Sequence, residues 1–341
     1  MVERGSPSRS QVLYWGVLLG GMVGAAELLE RVGFPAPHMI LAIVVGATLA
    51  FTGRLPRPLP RGVSVGTQAM LGVLMGSYLE LSLLRSLGLD LLPMLAITAA
   101  TLLVGVLVAM VFARLARGEP RRVVFGRHLR VALIAVAAPA LAVLLEDDDR
   151  VLSATEAVPP HWALVGRGDQ LAGLSVAIVL CLIGIRCGRA LRLPSPALVG
   201  PMLVSASLTA LGLSHGYAPA HLLKGVLFVL IGFEVGTRFT RSVVLEMARV
   251  IPGSTAAIIA LSAAVAALAF GLALLVDQRL PDLYLATSPG GIDTALATAE
   301  GLRATMPPLA SVQSLRLVLM VLAVPVLQCM LVAIPAKSMP E

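Results

Sequence analysis

Residues 33–76 of this chain return, altered but legible, at 192–236, and both copies are strongly apolar. The first opens Gly33-Phe34-Pro35-Ala36-Pro37 and the second Arg192-Leu193-Pro194-Ser195-Pro196, after which Ala47, Leu49 and Gly53 match Ala206, Leu208 and Gly212 at one constant offset. One residue further out of step, Leu71-Gly72-Val73-Leu74-Met75-Gly76-Ser77 answers Ile231-Gly232-Phe233-Glu234-Val235-Gly236-Thr237. Near the end of each copy an Arg followed by a Pro recurs, Arg130 with Pro139 and Arg316 with Pro325. A repeat of this length inside an apolar chain predicts a duplicated, all-α polytopic membrane protein and directs attention to where the two copies differ.

The inventory of side chains supports that class. Hydrophobic residues are 57% of the chain and charged residues 13%, against about 45–50% and about 25% in soluble domains, so too few polar groups exist to cover a water-exposed surface. The net charge of +7 does not point to nucleic acid, because the arginines lie between apolar spans and not on one basic domain. Cys181, Cys187 and Cys329 are too few for a disulfide framework. Residues 1–29 have a basic start and an apolar run, but the run belongs to the repeated unit and reads as an uncleaved first helix.

Apolar stretches long enough to cross a bilayer fall at roughly 11–29, 36–52, 64–84, 91–113 and 128–145, then at 171–189, 195–213, 219–237, 251–276 and 309–334. A shorter apolar piece occupies 283–302. The expectation is about ten crossings in two five-helix repeats. Arg4 and Arg9, the Arg54–Arg61 group, the Arg114–Arg130 group, Arg186 to Arg192, and Arg238 to Arg249 all fall on one side of that scheme. Arg31, Arg85, Arg150, Arg167, Lys224, Arg279, Arg303 and the acidic run from Glu146 to Asp149 fall on the other. This asymmetry predicts a cytoplasmic amino terminus, and the expected setting is a bacterial inner membrane. Five crossings per copy also make the second repeat start from the opposite face, so the repeats are expected to be inverted. The predicted organisation is a first repeat at 1–145, an acidic external linker at 146–167 and a second repeat at 168–341.

Arg130 follows Gly76 by 54 positions whereas Arg316 follows Gly236 by 80. The additional residues include Ser288-Pro289-Gly290-Gly291-Ile292-Asp293-Thr294. Pro289 removes a backbone donor and Gly290 and Gly291 are poor helix formers, so a helix entering here breaks. Broken backbone at bilayer depth needs protein or a watery cavity around it. The half-helix beginning near Asp293 would present amide groups and a positive dipole end to an anion, or be capped by Asp293 itself. The alternative is a plain external loop. Glu234 is the second candidate, an acid within an apolar span, where carboxylates usually face a partner or a water-filled path. Its counterpart is Leu74, and the alternative is an interfacial position paired with Arg238 one turn on. Gln313 and Arg316, near the start of the last span, complete the set of candidate solute or ion ligands. Gly72, Gly76, Gly232 and Gly236 form G-x-x-x-G faces expected to serve close helix packing. Glu27 and Glu30 near the end of the first span, with Arg186 at the repeat position of Glu27, read as snorkelling residues. His38, His128, His161, His215 and His221 are scattered without metal-ligand spacing, and no catalytic or cofactor fingerprint is present. The expectation is a non-enzymatic protein with no cofactor and no metal, whose partners are the lipid bilayer and an unidentified small solute or ion, with a homo-oligomer compatible with either.

The duplicated Pro-x-Pro span, the G-x-x-x-G span that follows, and the Pro289-Gly290-Gly291-Ile292-Asp293 segment with Gln313 and Arg316 downstream resemble the AbrB-duplication family of membrane proteins. The resemblance covers nearly the whole chain. Members carry labels as regulators of an aidB gene or as ammonia monooxygenases, and resemble the cation/proton antiporter and anion transporter superfamily in their inverted repeats. The resemblance implies a secondary transporter, with membrane-bound regulation of gene expression as the alternative. An ammonia-oxidising activity would need a metal set that the histidine spacing does not supply. Family members carry Pro-Gly-Gly in both halves; here the first half lacks it and Arg127 stands where Gln313 stands in the second.

Overall fold

Each copy enters its second helix through a proline at the first helical position, where the missing amide proton costs nothing and φ is already helical. In the computed structural model, which describes residues 9–32, 34, 36–55, 60–78, 162–166, 168–193, 195–212, 216–246, 248 and scattered positions between 252 and 271, these two entries are alike. Ala36 (φ 49°, ψ 47°) and Ser195 (φ 53°, ψ 59°) both take the left-handed conformation immediately before Pro37 and Pro196. A following proline disfavours the right-handed region for the residue before it, so the chain turns at the same place and by the same means in both copies. The helices also end alike: Gly53 (φ 71°) and Gly212 (φ 73°) adopt the left-handed geometry that lets glycine close a helix.

The elements are α1 (Arg9–Arg31), α2 (Pro37–Phe51) and α3 (Arg61–Ser77) from the first repeat. The second supplies α4 (Gln170–Ala190), α5 (Pro196–Ala210), α6 (His221–Gly236) and the short α7 (Arg241–Glu246). No strand occurs among the described residues; a single β-bridge joins Val165 to Pro219. That bridge is held by Gln170, whose Oε1 accepts from the amides of Leu164 (2.7 Å) and Val165 (3.1 Å), so the end of the linker is fastened to the loop before α6. Asp169 caps α4 by accepting from the Ala172 amide at 3.2 Å.

The helices pack in two interlocked sets. In one, α2 lies on α6 and α1 covers both; in the other, α5 lies on α3 and α4 covers both. Each set therefore combines the first two helices of one repeat with the third helix of the other. Glycines fix the directions. A Cβ at Gly72 would strike Leu198 and one at Gly76 would strike Met202 and Ala206, so α3 and α5 run parallel. Gly232 meets Met39 and Gly236 meets Ile43 and Ala47, so α2 and α6 also run parallel. Gly184 lies on Pro201 and Gly188 on Pro196, which makes α4 antiparallel to α5. The two sets meet in a shared core of Ala36, Met39, Ile43, Leu71, Leu74, Met75, Met202 and Phe228. A buried polar knot stiffens the second set: Ser205 Oγ donates to the Val73 carbonyl at 2.9 Å, and Thr209 Oγ1 to the Ser205 carbonyl at 3.0 Å, with the Tyr217 hydroxyl against both side chains. Trp15 of α1 meets Phe233 edge-on at 5.3 Å, a contact worth about 0.5–1.5 kcal/mol beyond area burial.

Among the described residues, two helices, α1 over Leu13–Arg31 and α4, are long and apolar enough to cross a membrane, and α2 and α5 are shorter apolar helices. Leu13, Val17 and Leu28 on α1, and Leu171, Val179 and Leu182 on α4, are large apolar side chains exposed on the outside of the bundle.

Candidate functional site

Glu234 lies two residues before the end of α6, and the first turns of α3 lie beside it. Ser64 Oγ donates to Glu234 Oε2 at 3.0 Å, and Arg238 Nη2 donates to Oε1 at 3.4 Å. The i,i+4 pairing with Arg238, one of the two arrangements open from the sequence, is thus present. The carboxylate side chain is 49% exposed and the guanidinium 54%, whereas Leu74, the counterpart of Glu234, is fully buried in the shared core. The repeat is therefore asymmetric at this position. An acid here is bound by a hydroxyl and a cation at the bundle's end, and the start of α3 adds its favourable dipole.

The same contact orients the halves. It brings the beginning of α3 to the end of α6, so these helices run oppositely, and the described arginines other than Arg31 fall together. Arg54 and Arg61, Arg186 to Arg192, and Arg238 with Arg241 belong to helix ends that the packing gathers at one end of the bundle. Glu27, Glu30, Arg31, Asp169 and Lys224 belong to the other end.

Gly72, Gly76, Gly232 and Gly236 stand where helix backbones touch. At each, an added Cβ would meet backbone atoms of the facing helix, which cannot swing aside as a long side chain can. Gly46 completes the α2–α6 contact, its Cβ position lying 2.8 Å from the Phe233 carbonyl oxygen. Pro289, Gly290, Gly291, Asp293, Gln313 and Arg316 lie outside the described residues.

One grouping escaped the sequence. The histidines read as scattered, yet His38, the second residue of α2, faces both acids at the end of α1. Its Nε2 is 3.8 Å from Glu27 Oε1 and its Nδ1 is 3.9 Å from Glu30 Oε2. Sequence spacing shows the two acids on one helical face, but the angle at which the chain re-enters at Ala36 is what turns His38 back onto them. Glu27 and Glu30, expected to snorkel outward, instead bracket an imidazole.

Comparison with known proteins identifies the family. The family model described as "Transition state regulatory protein AbrB" matches residues 52–120 and again 114–331. A protein of Escherichia coli (strain K12) named "Putative regulator AbrB" is 30% identical over 331 residues, covering 88% of this chain and 93% of that protein. No solved structure matches. Two matched regions that together take in most of the chain, and a relative aligned over nearly its full length, lead to one conclusion: the chain belongs to the AbrB family.

Proposed function

We propose that this protein is a multi-pass membrane protein of the secondary-transporter type, built from two inverted repeats, that moves a small solute or ion and performs no enzymatic reaction. The observation that carries the reading is the direction of the helices. α2 and α6 run parallel, as do α3 and α5, while α3 and α6 run oppositely. The equivalent helices α2 and α5 therefore point in opposite senses, the arrangement that lets a transporter expose one central site alternately to two faces. The arginine-rich end is the cytoplasmic one on the positive-inside rule. The membrane setting is supported by α1 and α4: a core helix of a soluble protein hides its apolar side chains, and these two display theirs. The Pro289-Gly290-Gly291 sequence, with Asp293, Gln313 and Arg316, and the polar group at Glu234 are the solute- or ion-binding candidates.

Reconstitution tests this directly. Proteoliposomes loaded with a pH-sensitive dye and offered a panel of small carboxylates, amino acids and monovalent cations should give saturable flux above empty liposomes for at least one class. Correctly inserted protein that passes none of them contradicts the reading. The relative's name supports the second reading, a membrane-bound regulator. Such a protein, acting on gene expression through a partner protein alone, would give no flux in the same experiment.

A further inference from the structure

We propose that Glu27, Glu30 and His38 form a binding site for one divalent transition-metal ion that clamps α1 to α2 at the end of the bundle opposite the arginine-rich one. One ligand atom from each residue can be chosen so that all three lie within 4.8 Å of one another. Metal bonds of about 2.0–2.2 Å to carboxylate oxygen and imidazole nitrogen need ligand atoms roughly 3.4 Å apart, so closure asks for about an ångström of side-chain movement. The two glutamates can supply it, their side chains being 26% and 40% exposed. His38 supplies the fixed point: its side chain is 13% exposed, and the ring lies over Gly225 of α6, where a Cβ would come within 2.9 Å of Nε2.

The repeat argues that this grouping is not a requirement of the fold. At the same places in the second copy, Glu27 is answered by Arg186, Glu30 by Arg189 and His38 by Ala197. Gly225, which leaves room for the imidazole, is answered by Val65. The same helix packing is thus built with two cations, a methyl group and a branched side chain in one half, and with two anions, an imidazole and a glycine in the other. A mixed carboxylate and imidazole set suits Zn²⁺ and its first-row neighbours. It leaves coordination positions open to water, as three-ligand sites do.

The test uses the full-length protein, purified in detergent and stripped of metal with a chelator. Zn²⁺ titrated calorimetrically should bind at one ion per chain, and Co²⁺ should give a visible band that Zn²⁺ abolishes. Glu27→Gln, Glu30→Gln and His38→Ala should each remove the saturable site while melting at the wild-type temperature in chelator. Gly225→Ala, which only displaces the ring, should weaken the affinity by about 10–100-fold. Zn²⁺ binding that survives equally in all four variants, or a wild-type protein in which His38 takes up only protons and no saturable ion, overturns the proposal.

Discussion

At Glu234 an acid with a half-exposed side chain is held by one hydroxyl and one guanidinium. Exposed ion pairs contribute little, at most about 1 kcal/mol, so Glu234→Gln is expected to change the thermal unfolding midpoint only slightly. Solute flux in proteoliposomes, or its dependence on pH, should fall. Loss of folded protein in this variant would instead make Glu234 part of a structural ion pair. The i,i+4 partner Arg238 was legible from the sequence because a helix brings such residues together by its own geometry. Ser64 was not, since it lies 170 positions away and meets Glu234 only through the packing of α3 against α6. His38 was hidden for a related reason: the turn at Ala36 sets its direction, and no spacing rule encodes that angle.

Along the elements, the glycines divide into two kinds. On α1, Gly16, Gly20, Gly21 and Gly24 have nothing within 4 Å of an added Cβ, while Gly72, Gly76, Gly232 and Gly236 would drive one into backbone. Gly20→Ala should therefore be neutral or stabilise by up to about 1 kcal/mol through helix propensity. Gly76→Ala and Gly236→Ala should each destabilise by about 1–3 kcal/mol, because overpacking forces two helices apart. Thermal unfolding of the three purified variants checks both signs at once, and equal melting would remove the glycines' role in holding α3 to α5 and α2 to α6. Helix starts were readable wherever a Pro-x-Pro marks them, as at α2 and α5. The start of α3 was expected near 64 and lies at Arg61. Counting apolar residues does not see a helix whose first turn is polar and follows Pro60.

For the molecule as a whole, the duplication was legible because it survives as matched residues, and the structure repeats it as matched backbone at Ala36 and Ser195, Gly53 and Gly212. The interlocking of the halves was not legible, since it depends on contacts between copies that no pattern within one copy specifies. The proposal that Pro289-Gly290-Gly291 interrupts a helix at a transport site makes its own prediction. Replacing Gly290 and Gly291 together by Ala should favour continuous helix by about 1 kcal/mol per site and abolish flux with the protein still inserted; undiminished flux would reduce the segment to a connection between spans. The central claim, that the two repeats face the membrane in opposite senses, is tested most directly at two equivalent, exposed positions, Thr52 after α2 and Leu211 after α5. In a background with Cys181, Cys187 and Cys329 replaced, a membrane-impermeant maleimide applied to intact cells should label Leu211→Cys and leave Thr52→Cys unlabelled until the membrane is opened. Labelling of both from the same side would contradict the account.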